Sequence, residues 1–218
     1  VNNQIDKQES MATEPDQALA AEPPVKRPKS FWREASETIV GALLIALVTR
    51  AAIAEPRYIP SGSMLPTLEI NDRLIVEKIS NYTQHIERGD ILVFYPPELE
   101  PESRSPFFGT LRWLGLSGEE AYIKRVVGLP GETIAVDQGQ VWINGLPLSE
   151  HYIQEAPAYS MAPVQIPSDH VFMLGDNRNN SADSHVWGSL PIENVIGHAS
   201  FRFWPPTRLG GLKLKPEG

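Results

Sequence analysis

The run IVGALLIALV, residues 39–48, constrains this chain most, because ten successive apolar or small residues need shielding from water. A basic cluster of Lys26, Arg27, Lys29 and Arg33 precedes it, with Phe31 and Trp32 alongside. Thr49 and Arg50 then interrupt it before AAIA, residues 51–54. Crossing a bilayer takes about twenty apolar residues. Residues 39–54 supply fewer, but the flanking aromatics and a snorkelling Arg50 lengthen the usable stretch. The expectation is therefore one transmembrane helix within residues 31–55. A cleavable leader is the alternative, with Ala52-Ile53-Ala54 as its small-x-small cleavage site. On either reading the positive cluster keeps the N-terminal side cytoplasmic and sends the remainder across the membrane. Residues 1–30 are polar and offer little for a core, so they read as a disordered tail.

Beyond residue 55 the signal changes period. RLIVEK (residues 73–78), DILVFYP (90–96), AYIKRVV (121–127), HVFMLGD (170–176) and VIGHASFRFWP (195–205) are short β-branched or aromatic runs bounded by turn formers. TIAVDQGQVWINGLPL reads as two strands joined across residues 137–139, followed by the turn pair Asn144-Gly145. Twenty prolines and sixteen glycines agree with many short elements. The expectation is a mainly β domain, antiparallel sheets with long loops, over residues 56–218, with an insert near residues 97–119. A net charge of −8 argues against nucleic acid as a partner, and the lack of cysteine excludes disulfides and thiol catalysis.

Two stretches carry possible chemistry. YIPSGSMLPTL, residues 58–68, sets Ser61 and Ser63 either side of Gly62 and between two prolines. Such residues make an ordinary turn, or they hold a nucleophile that needs a base. Lys124 is the candidate base. Alternation puts it with Tyr122 and Val126 on one face of its strand, and Ile123, Arg125 and Val127 on the other. Most strand lysines point to solvent, yet both faces here carry apolar neighbours. One of Lys124 and Arg125 must therefore lie near buried surface. A free lysine, with a pKa near 10.4, is neutral about once in 2,500 at pH 7, so the chemistry requires desolvation.

GDNRNNSADSHVWG, residues 175–188, is dense in side chains that bond to nearby backbone. It fails as a calcium loop: counting from Asp176, position 6 is Ser181 and position 12 is Trp187. Asp183 and His185 suggest a Ser-His-Asp triad, although close neighbours in one loop rarely reach that geometry. The five histidines show no metal-binding spacing, so no metal and no cofactor are expected.

PSGSMLPTL, RGDILVF, YIKRVVGLPGE and GDNRNNSADSHVWG follow one N-terminal apolar segment in that order. Together they resemble the type I signal peptidases over residues 31–205, most closely the cyanobacterial and plastid thylakoid branch. The resemblance implies a membrane-bound serine endopeptidase that removes signal peptides from exported pre-proteins after Ala-x-Ala sites. It implies Ser63 as nucleophile, Lys124 as general base, and the Ser61 hydroxyl joining the Ser63 backbone N–H in an oxyanion hole. Ser181 matches the serine that orients the lysine. Gly175, Asp183 and His185 match structural support, with His185 standing where many bacterial members have Arg and Asn179 where Asp is common. Ile59, Met64, Leu68, Leu74, Tyr122 and Ile123 fall at the positions of the substrate pockets. The partners implied are signal peptides and the lipid bilayer, near the export translocon, with the catalytic domain facing the periplasm, cell exterior or thylakoid lumen. Phe107, Phe108, Trp113 and Leu114 of the insert are expected at the membrane interface. A self-cleaving repressor-type protease also pairs serine with lysine, but the apolar segment and acidic charge oppose it. An inactive membrane-tethered relative would have lost Ser63, Lys124 or Ser181, and none is lost.

Overall fold

The computed structural model describes residues 31–79, 86–97 and 121–212. The N-terminal tail and the insert residues Phe107, Phe108, Trp113 and Leu114 lie outside the described residues. Contacts divide the chain into units at residues 1–39 and 40–218. The first contains the opening turns of helix α1 (Phe31–Ala52), where Phe31 and Trp32 meet edge to face and Arg33 pairs with Glu37 at 3.0 Å.

The transmembrane expectation needs correction. Helix α1 forms where the sequence places it, but no helix among the described residues is long and apolar enough to cross a membrane. Glu37 and Arg50 leave only the stretch 38–49 free of charge. Twelve residues at 1.5 Å each reach about 18 Å, against about 30 Å of hydrocarbon.

The second unit is antiparallel β. Its strands are β1 (Ala54–Tyr58), β2 (Arg73–Glu77), β3 (Ile91–Phe94), β4 (Tyr122–Gly128), β5 (Thr133–Asp137), β6 (Gln140–Ile143), β7 (Leu146–Pro147), β8 (Met161–Gln165), β9 (His170–Leu174), β10 (Leu190–Pro191), β11 (Val195–Trp204) and β12 (Gly210–Gly211). The larger sheet runs β1-β2-β11-β3-β4-β9-β10, with β12 on β11; the smaller runs β7-β6-β5-β8. In β2, Leu74 and Val76 are buried and Arg73 is exposed, the alternation of a half-covered strand. The β6–β7 turn uses Asn144 at φ 53° and Gly145 at φ 80°, the left-handed pair that a two-residue hairpin favours.

Strand β4 is central and buried on every residue but the first. Ile123 packs with Ile59, Met64 and Leu74. Val127 joins Ile134, Phe172 and Leu174, linking the two sheets, and Val126 joins Leu92, Phe94 and Met173. With both faces covered, both cationic side chains of the strand are buried, Arg125 completely and Lys124 almost so.

Arg125 is balanced in place. Its Nε and Nη2 donate to the two oxygens of Asp176 at 2.8 and 2.6 Å, and its Nη1 donates to Gly89 O at 2.8 Å. The guanidinium also lies over the Tyr152 ring at 4.2 Å. A second buried pair, Arg178 with Glu150, is doubly hydrogen-bonded at 2.6 Å. Removing one partner of such a pair strands the other charge, at a cost of about 3–5 kcal/mol, whereas removing both costs far less. Urea unfolding should therefore find Arg125→Met destabilised by about 3–5 kcal/mol. Adding Asp176→Leu should recover a large part of that loss; additive losses would show that the ion pair is not coupled.

Candidate active site

The loop between β1 and β2 is tied at its base, where Ile59 N–H donates to Asp72 O and Asn71 N–H to Ile59 O, each at 2.9 Å. Met64 and Leu68 are fully buried and hold its middle against the core. Thr67 Oγ1 donates to Asp176 Oδ2 at 2.5 Å, joining this loop to the segment after β9. That segment clamps the loop again at its apex. Asn177 N–H donates to Ser63 O at 3.1 Å, and Asn177 Nδ2 donates to Gly62 O at 3.0 Å.

Between these segments Lys124 Nζ lies 2.8 Å from Ser63 Oγ, and it donates to Ile123 O at 2.9 Å. Ser61 Oγ is 3.5 Å from Ser63 Oγ. Ser63 is 8% exposed and Lys124 5%. Burial brings the lysine pKa down from 10.5 to about 8, while the negative charges of Asp183 and Asp176 oppose the fall. An amine of that pKa is neutral in about one molecule in ten at pH 7. A neutral amine within hydrogen-bond reach of a hydroxyl can take its proton.

Gly175 allows the close approach. A Cβ there would meet Ser181 Oγ at 2.2 Å and Ser63 O at 2.5 Å, closer than side-chain carbons come. Ser181 Oγ is buried and has no hydrogen-bond partner among the described residues, so it does not bond Lys124 in this arrangement. Asp183 is wholly buried and caps the short helix α2 (Ser184–Trp187). It accepts from Gly175 N–H at 2.8 Å and from His185 Nδ1 at 2.7 Å, if that nitrogen carries the proton. His185 stacks on Tyr159 with ring centres 4.2 Å apart. Burial, with Asp183 beside it, raises the Tyr159 hydroxyl pKa to about 12. Asn179 ties its loop to the segment before β8: its Oδ1 accepts from Ala158 N–H at 2.7 Å and its Nδ2 donates to Ala156 O at 3.1 Å.

Ser63 and Lys124 open on a cleft of about 730 Å³ that Ile59, Ser61, Tyr122 and Ile123 also line. Of the six pocket positions named from the sequence, Ile59, Tyr122 and Ile123 border this cleft, whereas Met64, Leu68 and Leu74 are core residues. Sequence reasoning passed over Asn177, the Arg125–Asp176 pair and Tyr159. For Asn177 the one available signal was the density of Asn and Asp in its loop. Among the described residues no cluster could hold a metal ion.

The profile described as Signal peptidase, peptidase S26, matches residues 32–204. The chain belongs to this signal peptidase family. Signal peptidase I of Leptolyngbya laminosa is 50% identical over 205 residues, 94% of each chain. Probable signal peptidase I-1 of Synechocystis sp. is 50% identical over 189 residues, 87% of this chain and 91% of that one. Thylakoidal processing peptidase 1, chloroplastic, of Arabidopsis thaliana is 38% identical over 180 residues, 83% of this chain and 51% of that one. These relatives fit the cyanobacterial and thylakoid resemblance of the four sequence blocks. Signal peptidases of this family are serine peptidases, so the chain is an enzyme.

The geometry of this signal peptidase yields two expectations. Gly175→Ala should cut the cleavage rate about a hundredfold or more, because shifts near 1 Å at a reacting group have that effect. Wild-type rate in that variant would show the Gly175 approach to be dispensable. The second concerns stability. The unfolded lysine binds a proton up to pH 10.5 and the folded one only to about 8, so between those values unfolding takes up a proton. Stability should rise across that window by about 3 kcal/mol. Lys124→Met should abolish the rise, and urea unfolding at pH 7, 9 and 10.5 would measure it; an equal slope in both proteins would place the titration elsewhere.

Proposed function

We propose that this signal peptidase cuts signal peptides from exported pre-proteins after Ala-x-Ala-type sites, with Ser63 as nucleophile and Lys124 as general base. The observation that carries the reading is the buried Lys124 amine 2.8 Å from the Ser63 hydroxyl. In this mechanism Lys124 Nζ, entering neutral, takes the proton as Ser63 Oγ attacks the scissile carbonyl. The carbonyl oxygen gains charge and is met by the Ser63 N–H and the Ser61 hydroxyl. The resulting ammonium returns its proton to the leaving amine, forming an acyl ester on Ser63. Lys124 then takes a proton from water as the water oxygen attacks the ester carbonyl. The bond to Ser63 Oγ breaks, and the Lys124 ammonium returns that proton to Ser63 Oγ, which restores the hydroxyl and the neutral amine.

Ser181 is assigned the role of steering the lysine as it gains and loses its proton, for which its buried, unpartnered hydroxyl is available. Gly175, Asp183 and His185 support that corner. Small, apolar substrate side chains suit a cleft bordered by Ile59, Tyr122 and Ile123. Helix α1 exposes Ile39, Leu43, Leu44, Ile45 and Val48. Burying aliphatic side chains is favourable by about 1.5–3 kcal/mol each, so we assign α1 to association with a lipid bilayer. The catalytic unit then works on the side where exported precursors emerge, near the translocon.

The test is cleavage of a pre-protein whose leader ends in Ala-x-Ala, with the cut mapped. Ser63→Ala, Lys124→Ala and Lys124→Arg should each lose cleavage, the last because guanidinium keeps its proton at usable pH. For wild type, kcat/KM should climb as the amine loses its proton and level off above about pH 8. Full activity in Lys124→Arg, or a profile flat from pH 6 to 9, would refute the dyad.

A further inference from the structure

We propose that Asn177 is a positioning residue that aims the Ser63 backbone N–H at the developing oxyanion. The inference rests on the Ser63/Lys124 reading above.

Peptide units are planar, and in a trans unit the C=O and N–H point to opposite sides. The Gly62–Ser63 peptide is trans, so fixing the Gly62 carbonyl fixes the Ser63 N–H. Two donors hold that carbonyl. Leu65 N–H donates at 3.2 Å from within the same loop, and Asn177 Nδ2 donates at 3.0 Å from the other side of the site. The second donor ties the peptide plane to the segment after β9 and not merely to its own turn.

The next carbonyl along is held by the same residue, since Asn177 N–H donates to Ser63 O at 3.1 Å. Asn177 thus grips the peptide units on both sides of the nucleophile. Its amide is itself oriented: Asn180 Nδ2 donates to Asn177 Oδ1 at 3.3 Å, leaving Nδ2 to face Gly62 O. Between the two gripped carbonyls the Ser63 N–H donates to no acceptor among the described residues. That N–H is a free donor in a fixed direction, next to the attacking oxygen. Preorganised donors of this kind act because their orientation is set before charge develops.

The size of the effect follows from what remains after substitution. Deleting an oxyanion donor costs about 10²–10³-fold in kcat. Asn177→Ala keeps the N–H and the Leu65 bond, so its loss should be smaller, about 10–100-fold. The loss should fall on kcat with KM nearly unchanged. The pH midpoint of kcat/KM should stay where wild type has it, because Lys124 is untouched. A peptide boronate, which forms a tetrahedral adduct on serine, should bind more weakly by the same factor as kcat/KM falls. An uncleavable peptide should bind as in wild type.

Asn177→Asp keeps the shape and the backbone hydrogen bond but sets an acceptor against Gly62 O, and it should be at least as impaired. It decides the matter should Asn177→Ala fail to fold. A rise in KM alone, a shifted pH midpoint, or boronate affinity equal to wild type would overturn the proposal. Absence of Ser63-dependent cleavage in wild type would instead overturn the underlying reading.

Discussion

The site depends on keeping one amine dry beside two carboxylates. Asp183 and Asp176 both favour a charged Lys124, and burial outweighs them. The fold moderates their pull by engaging each of them elsewhere. Asp176 spends both oxygens on Arg125. Asp183 spends one on the Gly175 N–H and the other on His185. Without these partners either carboxylate would favour the ammonium form of Lys124 more strongly, and the neutral amine would become rarer.

The same side chains assemble the site mechanically. Arg125 and Lys124 are neighbours on β4, one fixing the segment after β9 through Asp176, the other reaching Ser63. Thr67 and Asn177 bind the serine loop to that segment. Three stretches far apart in sequence thus meet at one point through polar bonds, of which the Lys124–Ser63 and Arg125–Asp176 bonds are buried and gain from the low local dielectric. Misplacing one member would leave others unsatisfied, which holds the arrangement to a single geometry.

Much of this was legible in the sequence. The strands read from β-branched runs at residues 73–78, 90–96, 121–127, 170–176 and 195–205 all form, within a few residues. So does the hairpin turn at Asn144-Gly145, because its backbone demand is local. Strands β1 and β8 were not foreseen. AEPRY and MAPVQ each contain a proline and lack alternation, and both lie at a sheet edge, where a missing N–H is tolerated. Apolar neighbours on both faces of β4 required at least one of Lys124 and Arg125 to lie near buried surface. That both are buried was not legible, because the counter-charge Asp176 lies fifty-one residues from Arg125 and no local pattern announces it. Asn177 was invisible for a similar reason, since its role exists only where its loop meets Gly62. The apolar run did announce a helix, but its charged neighbours limit how far the uncharged part extends.

Direct titration of the Lys124 side chain examines the central claim with the fewest assumptions. With carbon-13 at the lysine ε-position and Lys124→Met to assign the resonance, NMR follows its shift against pH. The account predicts a midpoint near 8. A midpoint near the ordinary 10.5 would mean an ammonium at working pH, and the amine could not serve as the base.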